Sequence, residues 1–289
     1  MVREGILSLK DFLKIGSALA DASKRLQNVS ESPRLDAELL LARALDVPRS
    51  YLFAHAEEEM DDNARLRFQT SIEHRIDGLP MAYITGEKEF WSMDLLVSPA
   101  TLVPRPETEL LVDLALRQMP RESTQRVLDL GTGSGTVALA LARERPLSKI
   151  IATDISEDAV LVARENARRL NLANIEFVIG DWVTPVAARR FDIVVSNPPY
   201  VSDDDPHLPQ LQFEPQLALL AGHDGLDAIR EISATTATII ESGGPIMIEH
   251  GATQAEQVAD VLSNDGWRSI SNTKDLAGLP RVTTAYAPE

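Results

Sequence analysis

The chain has 289 residues, 44% of them hydrophobic, enough for two domains of roughly 100–200 residues each with sizeable cores. It has no cysteine, which excludes a disulfide framework, a thiolate nucleophile and a zinc–thiolate site. The net charge of −16 is uneven: −3 over residues 1–85 (11 basic and 14 acidic groups) and −13 over residues 86–289 (17 basic and 30 acidic groups), and an acidic second half disfavours a phosphate backbone, whose capture relies on Lys and Arg.

In Met1–Lys14 the residues Arg3, Glu4, Lys10, Asp11 and Lys14 interrupt the apolar positions, so no signal peptide is read there. No run of about 18 apolar residues occurs, and a cytoplasmic protein without a membrane partner is expected. Residues 8–77 carry apolar residues at helical spacing. Ser8 reads as the N-cap of a helix to Leu26. Pro33 opens a second helix with Leu35, Leu39, Leu40 and Leu45. Asp61 or Asp62 caps a third, to Asp77. These make a small N-terminal helical bundle over residues 1–78. It holds no catalytic constellation; as an accessory bundle it is expected to dock the substrate, with a structural cap as the alternative.

Residues 79–106 read as a linker. Glu89-Phe90-Trp91-Ser92 and Leu95-Leu96-Val97 predict a short hairpin, and Pro99, Pro104 and Pro106 punctuate the stretch after it. Over residues 107–289 helix and strand alternate. A helix at 107–119 precedes strands at 126–130, 149–154, 174–179 and 191–196, with helices at 135–144 and 156–170 between the first three. A helix at 225–241, a strand at 245–250, a helix at 254–264 and strands at 267–272 and 281–287 complete the domain. Alternating βα units predict an α/β fold with a mostly parallel sheet covered on both faces. The last two strands have no helix between them, so one is expected to run antiparallel.

Two loops carry chemistry. In Val127-Leu128-Asp129-Leu130-Gly131-Thr132-Gly133-Ser134-Gly135 a strand runs into a glycine-rich turn and a helix. Glycines at alternate positions let backbone approach a ligand closely. A dinucleotide fingerprint needs another spacing, and a P-loop needs Gly-Lys-Ser/Thr, so the turn suits a nucleoside without pyrophosphate. Asp154 ends the next strand, where its carboxylate can accept from both hydroxyls of a ribose or cap the helix from 156, with Ser156 as competitor. Asp181 can accept from an adenine amino group. Trp182 can lie against the purine or belong to the core.

The second loop is Asn197-Pro198-Pro199-Tyr200, directly after the apolar strand Phe191–Ser196. Strand ends of this kind form the ligand-binding edge of open α/β sheets. Neither proline has an N–H, and each fixes φ near about −65°. One Asn side chain, one free carbonyl and one aromatic ring suit a planar amide or amino group, although Asn before Pro also occurs as an ordinary turn residue. His250 at a strand end reads as a packed histidine, His207 as surface, and Asp203-Asp204-Asp205 as a solvated acidic loop rather than a metal site.

In this order the motifs resemble a class I S-adenosylmethionine-dependent methyltransferase over residues 107–287. Asn-Pro-Pro-Tyr after the fourth strand resembles the amino-methylating branch. Pro104-Arg105-Pro106-Glu107-Thr108-Glu109 is similar to the release-factor glutamine N5-methyltransferase family, called PrmC or HemK. Phe90-Trp91, Phe213-Glu214-Pro215 and Glu249-His250-Gly251 fit the same pattern, and the likeness covers nearly the whole chain. The resemblance implies a Rossmann-like seven-stranded methyltransferase domain with a small N-terminal helical bundle and a hairpin linker. It implies S-adenosyl-L-methionine as donor and S-adenosyl-L-homocysteine as product. The implied acceptor is the side-chain amide of the glutamine in the Gly-Gly-Gln motif of class 1 translation release factors. Gly131, Thr132, Gly133, Ser134, Gly135, Asp154, Asp181, Trp182 and Asn197 are then expected at the donor. Asn197, Pro198 and Tyr200 are expected to be catalytic: the Asn197 oxygen and Pro198 carbonyl accept the amide hydrogens, and Tyr200 packs on the amide. Pro199, Arg105 and Glu107 are expected to border the glutamine.

A ribosomal-protein glutamine methyltransferase is the nearest rival. That branch typically has Ser where this chain has Pro106, and the acids at 107 and 109 also favour the release-factor branch. An N6-adenine methyltransferase would use the same loop. The net charge of −16 and the lack of a basic stripe or base-reading domain stand against it. A nonenzymatic S-adenosylmethionine-binding adaptor is disfavoured by intact donor and acceptor motifs. A monomer with no direct nucleic-acid contact is expected.

Overall fold

Helices form first where apolar residues recur every three or four positions. α1 (Ile15–Arg25) buries Ile15, Ala18, Leu19 and Ala22, and α2 (Pro33–Leu45) buries Ala37, Leu40, Leu41 and Ala44. The structure is a computed structural model describing residues 14–289, divided into one unit ending at Gly86 and a second running from Glu87 to Glu289. Ser8 lies outside the described residues. Pro33 occupies the first turn of α2, where its missing N–H costs nothing. Asp61 caps α4 (Asp62–Ile76), its side chain accepting from Ala64 N at 2.9 Å. Two short helices add to the three named: α3 (Arg49–Ala54), inside the stretch read as helical, and α5 (Met81–Thr85), which was not foreseen. Each is under two turns, too short to show a period.

The second unit opens with the hairpin of β1 (Glu87–Phe90) and β2 (Met93–Leu96). The sequence placed Trp91 and Ser92 in its first strand. They form the turn instead, with φ of 52° and 53°, the two positive values a tight two-residue hairpin turn requires. The strands β3 (Arg126–Leu130), β4 (Lys149–Asp154), β5 (Ile175–Ile179), β6 (Ile193–Ser196), β7 (Pro245–Glu249), β8 (Arg268–Lys274) and β9 (Pro280–Tyr286) form one sheet in the order β5-β4-β3-β6-β7-β9-β8. β9 alone opposes its neighbours' direction.

Successive strand residues point to opposite faces, and both faces are covered. Val127, Ile150, Ile193 and Val195 pack with α6 (Glu109–Gln118), α7 (Thr136–Glu144) and α8 (Glu157–Arg169). Leu128, Ile151, Val194 and Ile246 pack with α9 (Asp227–Thr236), α10 (Ala255–Asn264) and Trp267. α9 is shorter than the predicted 225–241. Gly225 sits at φ 71° before it. At its end Thr235 and Thr238 turn their hydroxyls back onto the Glu231 and Thr235 carbonyls, at 2.7 and 2.8 Å, a local competition that loosens helices. No helix among the described residues is long and apolar enough to cross a membrane.

The chain winds outward from β3 through β4 to β5, then returns to place β6 on the other side of β3. The carboxyl ends of β3 and β6 therefore flank a topological switch point, where open α/β sheets bind ligands.

Asn166 on α8 joins three parts of this frame. Its Oδ1 accepts from Leu96 N at 2.7 Å, and its Nδ2 donates to the Leu96 and Ser134 carbonyls, each at 3.0 Å. Buried polar groups deprived of partners cost about 1–3 kcal/mol each. Asn166→Leu is expected to destabilise the fold by about 3 kcal/mol, read as a lower midpoint in denaturant unfolding. A midpoint equal to wild type would refute this role.

Candidate active site

β3 ends at Leu130, and the chain must turn at once beneath β4. Gly131 and Thr132 both donate to the Thr153 carbonyl, at 2.9 and 3.0 Å. Gly131, Gly133 and Gly135 have φ of 71°, 57° and 86°, the left-handed region other residues avoid. The three differ in surroundings. A Cβ on Gly133 would meet nothing within 4 Å, whereas one on Gly131 would lie 3.3 Å from the Trp182 ring. One on Gly135 would lie 2.8 Å from Leu139 Cδ1 and 3.2 Å from Ala163 Cβ. Gly135 thus serves the packing of α7 against α8, and it does not line the cavity at the switch point.

The carboxylates hold this turn. Asp154 accepts from Gly133 N at 2.8 Å and from Ser156 N at 2.9 Å. Ser156, not Asp154, caps α8, accepting from Ala159 N at 3.2 Å. Asp129 accepts from the Thr132 hydroxyl at 2.6 Å and from the Ala138 backbone in the first turn of α7. Burial raises both acids, Asp129 to about 7 despite those hydrogen bonds, with Asp154 adding repulsion.

These groups face a cavity of about 390 Å³ at the switch point. Ten of the residues singled out in the sequence line it: Arg105, Gly131, Thr132, Gly133, Ser134, Asp154, Asp181, Trp182, Asn197 and Pro199. Pro198, Tyr200, Glu107 and Gly135 do not. Trp182, at φ 39°, both lines the cavity and packs on the core below it.

The acceptor side starts one residue past β6. Leu130 and Ser196 are paired in register, so Gly131 and Asn197 leave the sheet side by side. Asn197 Nδ2 donates to Thr108 Oγ1 at 3.1 Å, while Asn197 Oδ1 is buried without a hydrogen-bond partner. Tyr200 is turned away: its hydroxyl lies 3.5 Å from Glu249 Oε1, and its carbonyl accepts from Gln254 Nε2 at 3.0 Å. Burial and the Glu249 charge push the phenol well above its usual range.

Three residues near the cavity were missed. Thr108 lines it, between two acids that drew attention by their charge. Glu249, last in β7, is buried and pushed up to about 7, mainly by desolvation. The neighbouring His250 masked it in the sequence. His250 itself is buried against the Gly251 carbonyl and Thr283, at 2.9 and 2.8 Å. Glu214 is buried, accepts from Val103 N at 3.0 Å and pairs with Arg105, so it ties Arg105 to the excursion after β6. A buried acid in Phe-Glu-Pro, opposite an arginine held between prolines, was the available signal. Glu107 is exposed. His207 and Asp205 pair at 2.9 Å in an exposed loop.

Residues 17–86 match the PrmC N-terminal domain and residues 108–211 the methyltransferase small domain. A release factor glutamine methyltransferase from Coxiella burnetii is 44% identical over 273 residues, 94% of this chain and 99% of that protein. One from Escherichia coli is 43% identical over 267 residues, 92% of this chain and 96% of that protein. The chain belongs to the release factor glutamine methyltransferase family. Solved structures bear the family's fold at lower identity. A methyltransferase from Pyrococcus furiosus superposes with a TM-score of 0.53 at 18% identity, covering 68% of this chain and 90% of its own. A T. thermophilus rRNA methyltransferase in complex with AdoMet and guanosine has a TM-score of 0.52 at 18% identity, covering 70% of this chain and 49% of its own.

Asp129 makes the stability of this family member depend on pH. Its folded pKa of about 7 exceeds the ordinary 3.8, so between those values the folded state binds the extra proton and stability falls as pH rises. Wild type is expected to lose more unfolding free energy than Asp129→Asn between about pH 5 and about pH 7. Denaturant titrations at the two pH values decide, and equal losses would contradict the buried-acid reading.

Proposed function

We propose that the protein transfers a methyl group from S-adenosylmethionine to the side-chain amide nitrogen, N5, of the glutamine in the Gly-Gly-Gln motif of class 1 peptide chain release factors. The full-length likeness to enzymes of that name supports it. The observation that carries the chemistry is the buried, unpartnered Asn197 Oδ1 beside the cavity.

The donor residues fit a cationic nucleoside. Gly131 and Gly133 offer backbone without side chains, Asp154 and Asp181 bring carboxylates, and Trp182 brings a flat face. Asp154 would receive the ribose hydroxyls on the lone pairs left by Gly133 and Ser156. Asp181 would receive the adenine amino group. Bound there, the cofactor supplies an electrophilic methyl carbon on a sulfonium.

The glutamine nitrogen is a poor nucleophile because its lone pair is delocalised into the carbonyl. Asn197 Oδ1 and the Pro198 carbonyl would accept its two hydrogens, aim it along the methyl–sulfur line and stabilise the positive charge that grows on it. Transfer of that methyl would leave a neutral thioether, and the surplus proton on the glutamine nitrogen would pass to solvent water. Pro199 and Arg105 would border the incoming glutamine. Tyr200 would act through the loop, its hydroxyl 3.5 Å from Glu249 Oε1. The helical unit, residues 1–78, would dock the release factor, with residues 79–106 as linker and 107–289 as the catalytic domain. The protein would act as a monomer without direct nucleic-acid contact, consistent with its net charge of −16.

Methyl transfer from labelled S-adenosylmethionine to a purified class 1 release factor tests this, with Gly-Gly-Gln changed to Gly-Gly-Ala as control. Label confined to the wild-type factor, and located at that glutamine by mass spectrometry, is expected. Label on a ribosomal protein or on DNA instead would move the assignment to that substrate. Asn197→Ala is expected to lower kcat by about 10²–10³-fold, as loss of a preorganised charge-stabilising group does, with S-adenosylmethionine affinity unchanged. Near-normal turnover would sink the mechanism.

A further inference from the structure

Asn197 can present either end of its carboxamide to the cavity, and the ends have opposite sense. An oxygen receives an N–H of the incoming amide, whereas an NH2 opposes it. The choice is made at the cavity wall, where Thr108 lies beside Asn197. Asn197 Nδ2 donates to Thr108 Oγ1 at 3.1 Å, leaving Oδ1 unpartnered. A threonine hydroxyl donates as readily as it accepts, so Thr108 alone would serve either orientation. The outcome depends on where its single proton is drawn.

Glu249 faces that hydroxyl. It is 1% exposed, and its Oε2 has no hydrogen-bond partner. Tyr200 reaches the other oxygen, Oε1, at 3.5 Å. An acceptor in this place attracts the Thr108 proton and leaves a Thr108 lone pair for Asn197. A donor in the same place would free Thr108 to donate to Asn197, and the carboxamide could reverse.

We propose that Thr108 and Glu249 are positioning residues that hold the Asn197 side-chain oxygen toward the reacting nitrogen, Thr108 by accepting from Nδ2 and Glu249 by drawing away the Thr108 proton. This rests on the reading that Asn197 receives an amide N–H of glutamine. It gives work to a buried acid that the transfer chemistry does not touch.

The charge on Glu249 then matters. Burial raises it to about 7, Thr108, Arg281 and Tyr200 pull it down, and Glu107 pushes it up. Arg281 is itself held by Asp275 at 3.3 Å. Above that value the group is acceptor only. Below it the acid can donate to Thr108 and release the ordering of the chain. The transfer rate should therefore rise with pH through about 7 and flatten at higher pH.

The test is single-turnover methyl transfer to the release factor, at saturating donor and acceptor, with the full-length chain and its T108V, T108S and E249Q forms. T108V keeps the shape and removes the hydroxyl. It is expected to lower the rate by about tenfold to a hundredfold, with S-adenosylmethionine affinity unchanged, and T108S is expected to restore most of the rate. E249Q, which can donate and carries no charge, is expected to slow transfer and abolish the pH-dependent rise. A T108V rate equal to wild type, or T108S as slow as T108V, would overturn the proposal. Should T108V fail to fold, the pH profile of E249Q decides, and a wild-type profile there overturns it. Wild-type protein that leaves the release factor unlabelled contradicts the functional reading itself and the positioning with it. An active wild type beside an equally active T108V contradicts the positioning alone.

Discussion

β3 and β6 lie side by side and parallel, with Leu130 opposite Ser196, and the site depends on that register. One residue further along each strand, Gly131 opens the donor loop and Asn197 opens the acceptor loop. A slip of one residue would turn every side chain of β6 to the other face and send Asn197 into the core. Two covered faces prevent the slip: Val194 belongs to one core, and Ile193 and Val195 belong to the other. Packing on both faces of the sheet thus sets the spacing of the two loops that line the cavity.

The electrostatics arise from the same burial. Asp129 and Glu249 are both buried, and desolvation pushes each up to about 7. Their positions give them different work. Asp129 ties Thr132 to the first turn of α7 and so shapes the donor loop. Glu249 sits behind Thr108 and bears on Asn197. Each destabilises the fold as it ionises.

Much of this was legible in the sequence because it rests on local rules. Strand period, turn glycines and the Asn-Pro-Pro-Tyr stop each leave a mark within ten residues. The order of the motifs placed the seven strands and the antiparallel one among the last two. Ten of the fourteen site candidates line one cavity. The remainder required distance in sequence to become distance in space. Gly135 looks like Gly131 and Gly133 until Leu139 and Ala163 are seen against it. Tyr200 is three residues past Asn197, yet its carbonyl meets Gln254, its hydroxyl lies near Glu249, and it does not line the cavity. Thr108, Glu214 and Glu249 act through pairs separated by 89, 109 and 49 positions, and no local pattern reports such pairs.

The central claim is that Asn197 turns an acceptor toward a glutamine amide held in line with the donor. The most direct measurement is a crystal structure of the protein with S-adenosylhomocysteine and a glutamine-containing release factor. The glutamine side-chain nitrogen is expected at about 2.7–3.2 Å from Asn197 Oδ1, with Asn197 Nδ2 still on Thr108. A glutamine seated elsewhere in the cavity, or an Asn197 carboxamide bonded to the glutamine oxygen through its Nδ2, would contradict it.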